Sequence, residues 1–435
     1  MLLRNFIKQK SLFIRNCVQY IKLNSLDQEL VDRRPDLDLE TLVEEEHFEK
    51  IKKNITNRKG IGNIEKIHEI WKCIQDFDKS NYQSIEESKK IYKNLWDQLY
   101  LEAFQIPNKT HPSVPLGPEE NGKIVATYKV TDEEFPKIKI AENLCKSIGN
   151  LSYPSVASGN RSYYFTGFIS SLEKALLKYV YEYLKNLGFI PVVVPDIIHN
   201  NITVGCGVYQ RTNHSIQYSL LNNPSLHLSG TSEMGLANLV EGKTFIRHDI
   251  FPKKFVSLSR CYRPEISKSA VEGKLYRVHE FFKVEMFSIC RPDQSDNVLD
   301  EFVNIQKKIV EDLDIPYKLI DMASEELGAS AYRKFDIVGL MPGRKIFGEI
   351  TSASNCSDYQ SRRLNIRYKN KDGKYEFLHT VNGTAIASTR SLICLLENIQ
   401  MKKEKNKIFE KIFLDKKRGD WENIKATEAS VFKYW

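Results

Sequence analysis

The chain has 435 residues, is 41% hydrophobic and 11% aromatic, and carries 64 basic against 56 acidic residues for a formal net charge of +8. That length exceeds one ordinary domain and supplies a sizeable core, so two domains are expected. A mean hydropathy of −0.41, with no run approaching the ~18 apolar residues of a membrane span, excludes a chain that crosses a membrane as a folded protein.

The first 26 residues carry Arg4, Lys8, Lys10, Arg15 and Lys22 and no acid, with Leu2, Leu3, Phe6, Ile7, Phe13 and Ile14 between them. This is the composition of a mitochondrial presequence, and a basic arm for nucleic acid would look the same. Because these cations account for most of the net charge, global charge says little about partners. Residues 64–77 place Ile64, Ile67, Trp71, Ile74 and Phe77 at helical spacing, and 85–104 repeat the pattern with Tyr92, Leu95, Trp96 and Leu99. The polar stretch 76–84 suits a turn, so residues 27–105 are expected to form a domain built on an antiparallel helical hairpin, each helix about 20–30 Å long. On pattern alone, a projecting arm and a pair packed in a core remain equally open.

Pro107, Pro112 and Pro115 then mark a boundary. Residues 106–159 read as linker and start of the second domain, 160–400 as its body, and 401–435 as a basic tail that either touches RNA or is simply solvated. Helices at about 168–187, 297–313 and 385–400 alternate with β-branched and aromatic runs at 189–194, 254–265, 275–290 and 374–381. The pattern is α+β with a largely antiparallel sheet. The eight cysteines never form a Cys-x-x-Cys pair, which argues against zinc and a disulfide framework and for reduced, packed thiols.

Reading 254–290 as a hairpin, period 2 sorts the side chains. Tyr276, Val278, Phe282, Val284 and Met286 share a core face; Arg277, His279, Phe281 and Glu285 share the other, and Arg263 and Glu265 share a face of the first strand. Guanidinium groups for phosphate, a ring for a base and carboxylates for amines or magnesium are the parts of a nucleotide site. A solvated face of ion pairs has the same composition. His279 reads as a hydrogen-bonding packing residue. Neither Gly230-Thr-Ser-Glu nor Gly273-Lys-Leu has the spacing of a phosphate loop.

Arg263-Pro-Glu265 followed by Leu275-Tyr-Arg-Val-His-Glu-Phe-Phe-Lys-Val-Glu-Met-Phe287 resembles the second signature motif of class II aminoacyl-tRNA synthetases in its seryl form. Gly348 to Tyr368 is similar to the family's approach to the third motif, and His379 to Arg390 to the third motif itself, in a version nearer to mitochondrial members. Leu228-Ser-Gly-Thr-Ser-Glu-Met234 is similar to the loop over the amino-acid pocket, and Gly188-Phe-Ile-Pro-Val-Val-Val-Pro195 to the first motif, which builds the dimer interface. The segments follow the family's order over about 160–400. Asn54–Ile67 and Ile106–Pro115 resemble the entry to and exit from the family's helical arm, here short, and favour the projecting arm.

The resemblance implies a class II catalytic domain of antiparallel-sheet α+β type behind an N-terminal helical-hairpin arm, and a mitochondrial matrix enzyme that joins serine to tRNA(Ser) with ATP and Mg2+. It places Arg263 on the α-phosphate and the serine carboxylate, Glu265 on the adenine amino group, Phe281 under adenine, Arg277 near the γ-phosphate, and Arg390 on the ring's other face and the phosphates. Glu349 and Ser352 would hold magnesium, and Thr231, Glu285, Asn382 and Thr384 would surround the serine amino and hydroxyl groups. Arg263, Arg390 and Glu349 are the expected catalytic groups. The implied assembly is a homodimer, or a heterodimer with a paralogous synthetase. Departures at Val338, Glu280, Gly273-Lys274 and Ser388-Thr389 keep open a second reading, a non-catalytic mitochondrial paralogue of the insect kind that binds tRNA(Ser) or a synthetase partner.

Overall fold

The computed structural model describes residues 23–78, 84–131, 137–154, 159, 161–209, 217–265 and 274–401. The body of the expected presequence, the centre of the hairpin turn, Gly273 and the tail beyond 401 lie outside the described residues.

Among the described residues, five helices come first: α1 (Ser25–Asp32), α2 (Leu39–Val43), α3 (Glu45–Asn57), α4 (Ile64–Gln75) and α5 (Ile85–Phe104). The first begins two residues before the expected boundary at 26/27, because the Asn24 side chain accepts from Asp27 N at 2.8 Å and caps it. Asn63 and Ser84 cap α4 and α5 in the same way. The hairpin is antiparallel, as the Lys66–Glu102 ion pair, Trp71 against Trp96 at 6.0 Å and Phe77 against Tyr92 at 5.0 Å run in opposite order along the two helices. It is less of a free arm than expected. Ile64, Ile67, Ile70, Leu95, Leu99 and Phe104 are buried with Leu30, Leu37, Leu42 and Ile55 in one core, so α1 to α3 wrap the hairpin's base.

The proline-rich segment is no loose linker either. Asn108 N–H donates to Ala329 O at 2.8 Å and its side chain to Ser330 O and Cys356 O at 2.8 and 2.9 Å. Arg58, 4% exposed, donates to Asn108 O and Ala331 O at 3.0 and 2.8 Å and to Gly328 O. A single buried guanidinium thus joins the helical domain, the connection and the catalytic body.

That body is an eight-stranded sheet: β1 (Lys123–Tyr128), β2 (Ile190–Pro191), β3 (Lys253–Tyr262), β4 (Glu280–Cys290), β5 (Tyr317–Asp321), β6 (Arg333–Met341), β7 (Ile346–Ser357) and β8 (His379–Ala387). The spatial order is β1-β5-β6-β7-β8-β4-β3-β2. All neighbours are antiparallel except β2, which runs parallel to β3 at the edge. Helices α7 (Gly167–Asn186), α10 (Ser295–Asp312) and α12 (Ser388–Asn398) cover one face through a core that includes Leu172, Leu176, Phe302, Val284, Met286 and Leu395. Part of the other face is closed by α8 (Asn200–Gly205), α9 (Ser232–Val240) and α11 (Tyr359–Leu364), which pack on Phe255, Phe287 and Ile289. The α6 helix (Ala141–Ser147) buttresses the far end, where Glu397 accepts from Ala141 N and Gly343 N at 3.1 and 2.8 Å.

Two expected strands are shorter than their sequence runs. The run 189–194 contributes only Ile190–Pro191, and 275–290 becomes a strand only at Glu280, since 274–276 form a tight turn. The seven described cysteines are all buried thiols outside any disulfide, and among the described residues no helix is long and apolar enough to cross a membrane.

Arg58→Met keeps most of the volume but removes three charge-assisted donors from buried carbonyls. It is expected to lower unfolding stability by about 2–4 kcal/mol, read as a shift in urea midpoint; an unchanged midpoint would deny Arg58 its role at the domain junction.

Candidate active site

The site forms where β4, β8, β7 and β6 leave the second sheet face open. Along β4 the alternation of side chains puts Phe281, Lys283 and Glu285 on this face, while Val284 and Met286 enter the core. Two β-bulges complete the arrangement. Ile337 pairs with Thr351 and Val338 with Glu349, so Ile350 is an extra residue in β7. In a regular strand Glu349 and Ser352, three apart, would point to opposite faces. The bulge turns both toward the site, Glu349 opposite Val338 and Ser352 opposite Asp336. On β8, Val284 pairs with Ile386 and Glu285 with Thr384, which makes Ala385 the extra residue and sets Thr384 beside Glu285, Oγ1 to Oε2 3.5 Å.

Arg263, Glu265, Phe281, Glu349, Thr384 and Arg390 line one cavity, joined by Tyr276, Lys283 and Thr389. Arg263 and Glu265 lie past the end of β3, and Arg277 and His279 before the start of β4, so strand alternation is not what gathers them. Turn geometry does. Glu265 takes a positive φ of 47°, and its carboxylate pairs with Arg277 at 3.2 Å. His279 exchanges backbone and ring contacts with Arg263, accepting Arg263 N–H at 2.9 Å, while its ring meets Tyr218 Oη at 2.8 Å. It is the packing residue the sequence suggested. Tyr276 is buried in the core, as expected, and its ring also lies under the Arg390 guanidinium at 4.6 Å.

Charges on this face are matched. Arg277 pairs with Glu265, Lys283 with Glu285, Arg390 with Glu349 at 3.2 Å, and Lys334 with Asp336 at 2.8 Å. Among the described residues Arg263 pairs with no carboxylate; its guanidinium lies over Phe281 at 5.3 Å. It is therefore the cation left for an anionic ligand. Burial works to raise the Glu349 pKa, but Lys334, Arg390 and Arg263 outweigh it and hold the carboxyl below its usual range. Asp336 goes the other way, to about 6, because burial and the charge of Glu349 prevail over Lys334.

Thr231 caps α9, and Glu233 stands two residues on in its first turn. Glu233 accepts from Gln360 at 2.6 Å; burial and the nearby Glu285 raise its pKa. Lys283 donates to Thr231 Oγ1 at 2.7 Å and to Thr384 Oγ1 at 3.2 Å. Lys283, Glu233, Lys334 and Asp336 are absent from the sequence-based set. The alternation from Phe281 to Glu285 already placed Lys283 on the site face, and Glu233 stood in the quoted loop, whereas the bulge that brings Asp336 and Lys334 alongside leaves no mark in the sequence.

Oxygen donors suited to a hard divalent cation are present in the Glu349 carboxylate and Ser352 hydroxyl, with Asp336 Oδ1 buried beside them and making no hydrogen bond. The residues fit magnesium.

An antiparallel sheet with an arginine-rich, carboxylate-matched floor defines a class II tRNA synthetase core, and residues 218–399 match the tRNA synthetase class II core domain (G, H, P, S and T). The mitochondrial serine–tRNA ligase of Mus musculus is 41% identical over 318 residues, 71% of this chain and 60% of its own length. The serine–tRNA ligase of Borreliella afzelii (strain PKo) is 36% identical over 410 residues, 90% of this chain and 94% of its own. Among solved structures, seryl-tRNA synthetase from Pyrococcus horikoshii complexed with ATP superposes with a TM-score of 0.66 at 26% identity, covering 85% of this chain and 93% of that one. Cytoplasmic serine–tRNA ligase from Naegleria fowleri in complex with AMP gives 0.68 at 26%, covering 84% and 93%. The chain belongs to the serine–tRNA ligase family. It spans about 60% of the length of the Mus musculus relative.

Arg263→Ala and Arg390→Ala are each expected to slow adenylate formation by about 10²–10³, the usual loss when a preorganised transition-state donor is removed. Melting temperature should change little, and full exchange activity in either variant would show the phosphate site to lie elsewhere.

Proposed function

We propose that this protein is a serine–tRNA ligase of the mitochondrial matrix that forms seryl-adenylate from serine and ATP and transfers the seryl group to tRNA(Ser). The observation that carries this reading is Arg263, without a carboxylate partner among the described residues, at the mouth of a pocket whose other cations are matched. A serine carboxylate attacking the α-phosphorus brings two anions together, and an unmatched guanidinium such as that of Arg263 can receive both. Glu265 accepts from the adenine amino group, Phe281 stacks on the base, and Arg277 and Arg390 face the polyphosphate. Ligand binding then exchanges existing ion pairs for new ones, since each arginine leaves or shares its carboxylate. Thr231, Glu285, Asn382 and Thr384 hold serine. Glu349 and Ser352 would hold Mg2+, which supplies charge neutralisation on the departing pyrophosphate. No protein nucleophile is needed.

The mitochondrial assignment is supported by the Mus musculus relative and by the basic, acid-free first 26 residues. For tRNA, α5 carries a groove in which Tyr92, Trp96 and Tyr100 are flanked by Lys89, Lys93 and Arg34, and the rings follow one another at 6.4 and 6.5 Å. Rings interleaved with cations suit unstacked bases and phosphates. A homodimer is supported by the exposed apolar residues at the sheet edge, Leu187, Ile190 and Val193, the last 94% exposed.

Three of the departures from the family pattern are accommodated among the described residues. Glu280 pairs with Arg260 at 3.0 Å at the surface, and Ser388 Oγ accepts from Phe282 N at 3.2 Å, tying α12 to β4. Val338 lies across from Glu349 and from Lys318, which turns its ammonium over the Phe347 ring at 4.3 Å. The cation that a carboxylate at 338 would meet has thus found an aromatic face.

Serine-dependent ATP–pyrophosphate exchange by the purified protein tests the proposal. Measurable exchange is expected, at least tenfold better with serine than alanine, and Val338→Glu should raise it or leave it unchanged. Absence of exchange, with tRNA(Ser) binding retained, would establish the non-catalytic reading. Reversing Lys89 to Glu should weaken tRNA binding and flatten its dependence on log salt by about one in slope; an unaltered slope would place the RNA on another surface.

A further inference from the structure

The amino-acid pocket contains a cation of its own. The Lys283 side chain is 6% exposed and pairs with Glu285, itself 3% exposed. Its ammonium also donates to Thr231 Oγ1 at 2.7 Å and Thr384 Oγ1 at 3.2 Å. All three partners belong to the set that surrounds serine, so the centre of the pocket is already organised by a fixed positive charge.

A threonine hydroxyl has one hydrogen to give and two lone pairs to receive with. At Thr231 both lone pairs are engaged, one by Lys283 and one by Glu233 N–H at 3.3 Å. Its hydrogen has no acceptor among the described residues. Thr384 receives from Lys283 and gives to Glu285 Oε2 at 3.5 Å, which leaves it one lone pair. The pocket therefore offers a donor at Thr231 and acceptors at Thr384 and Glu285, all three gathered around the one ammonium.

We propose that Lys283 is the specificity-determining residue of this pocket: by filling acceptor positions on Thr231 and Thr384 it commits Thr231 to donate. The complementary substrate side chain is then a hydroxyl, which receives from Thr231 and gives to Glu285 or Thr384 through a single oxygen. A methyl group does neither and leaves buried polar atoms unpaired. Lys283 acts through its neighbours and is a positioning residue. The inference rests on the reading of this pocket as the serine site.

The test is a double-mutant cycle in the full chain with Lys283→Met, Thr231→Val and their combination, measuring kcat/KM for serine and for alanine in pyrophosphate exchange. Each single change is expected to cut the serine-over-alanine ratio by about tenfold or more, with the KM for ATP held within about twofold. The double variant should lose little beyond the worse single, because without Lys283 the Thr231 hydroxyl is no longer committed. Melting curves check folding; if Lys283→Met does not fold, Lys283→Gln, whose amide still donates to Glu285, takes its place. An unchanged ratio, or losses that simply multiply, overturns the role of Lys283 while serine activation by the wild type stands. A wild type that neither exchanges pyrophosphate with serine nor binds a non-hydrolysable seryl-adenylate analogue in calorimetry overturns the pocket assignment, and this inference with it.

Discussion

The constraint on which the rest depends is that several charges must sit together on a half-buried sheet face. A lone carboxylate or ammonium there would suffer a desolvation cost of several kcal/mol, so Glu265, Glu285, Glu349 and Asp336 each hold a cation. The pairing keeps strongly polar groups available for ligands without loss of the fold. It also means that a polyanionic ligand competes for arginines already engaged, and gains most where an arginine is unmatched. Arg263 meets that condition among the described residues.

The backbone solves the placement problem by breaking its own regularity. A perfect sheet would send Glu349 and Ser352 to opposite faces and part Thr384 from Glu285. One extra residue in β7 and one in β8 bring both pairs together. The turns before β4 and after β3 do the same for Arg277 and Glu265, at the cost of a left-handed backbone at Glu265. Rigid neighbours hold these irregular segments: His279 locks Arg263 by backbone and ring contacts, and Ser388 stitches the start of α12 to β4.

The helical domain is bound to this body more firmly than a projecting arm requires. Arg58 and Asn108 together bond carbonyls at Gly328, Ser330, Ala331 and Cys356, and Cys356 follows β7 residues that line the site. The hairpin helices and the candidate site are thereby held in one frame.

The amino-acid sequence by itself determined the hairpin helices, whose apolar stripes have the right period, the antiparallel class of the large domain, and the residue types of the site through motifs that stand in one order. Those features are local or repeat at a fixed spacing, so they survive in one dimension. Tertiary structure alone decided that the hairpin's base is buried by α1 to α3, that the proline-rich segment is anchored on the large domain, and that the buried Tyr276 ring meets the Arg390 guanidinium. It also decided which cation meets which carboxylate. Bulges and turns shift a strand's facing by one residue, and ion pairs join residues as distant as Glu349 and Arg390; neither is set by local spacing, because both depend on which strands come to lie side by side.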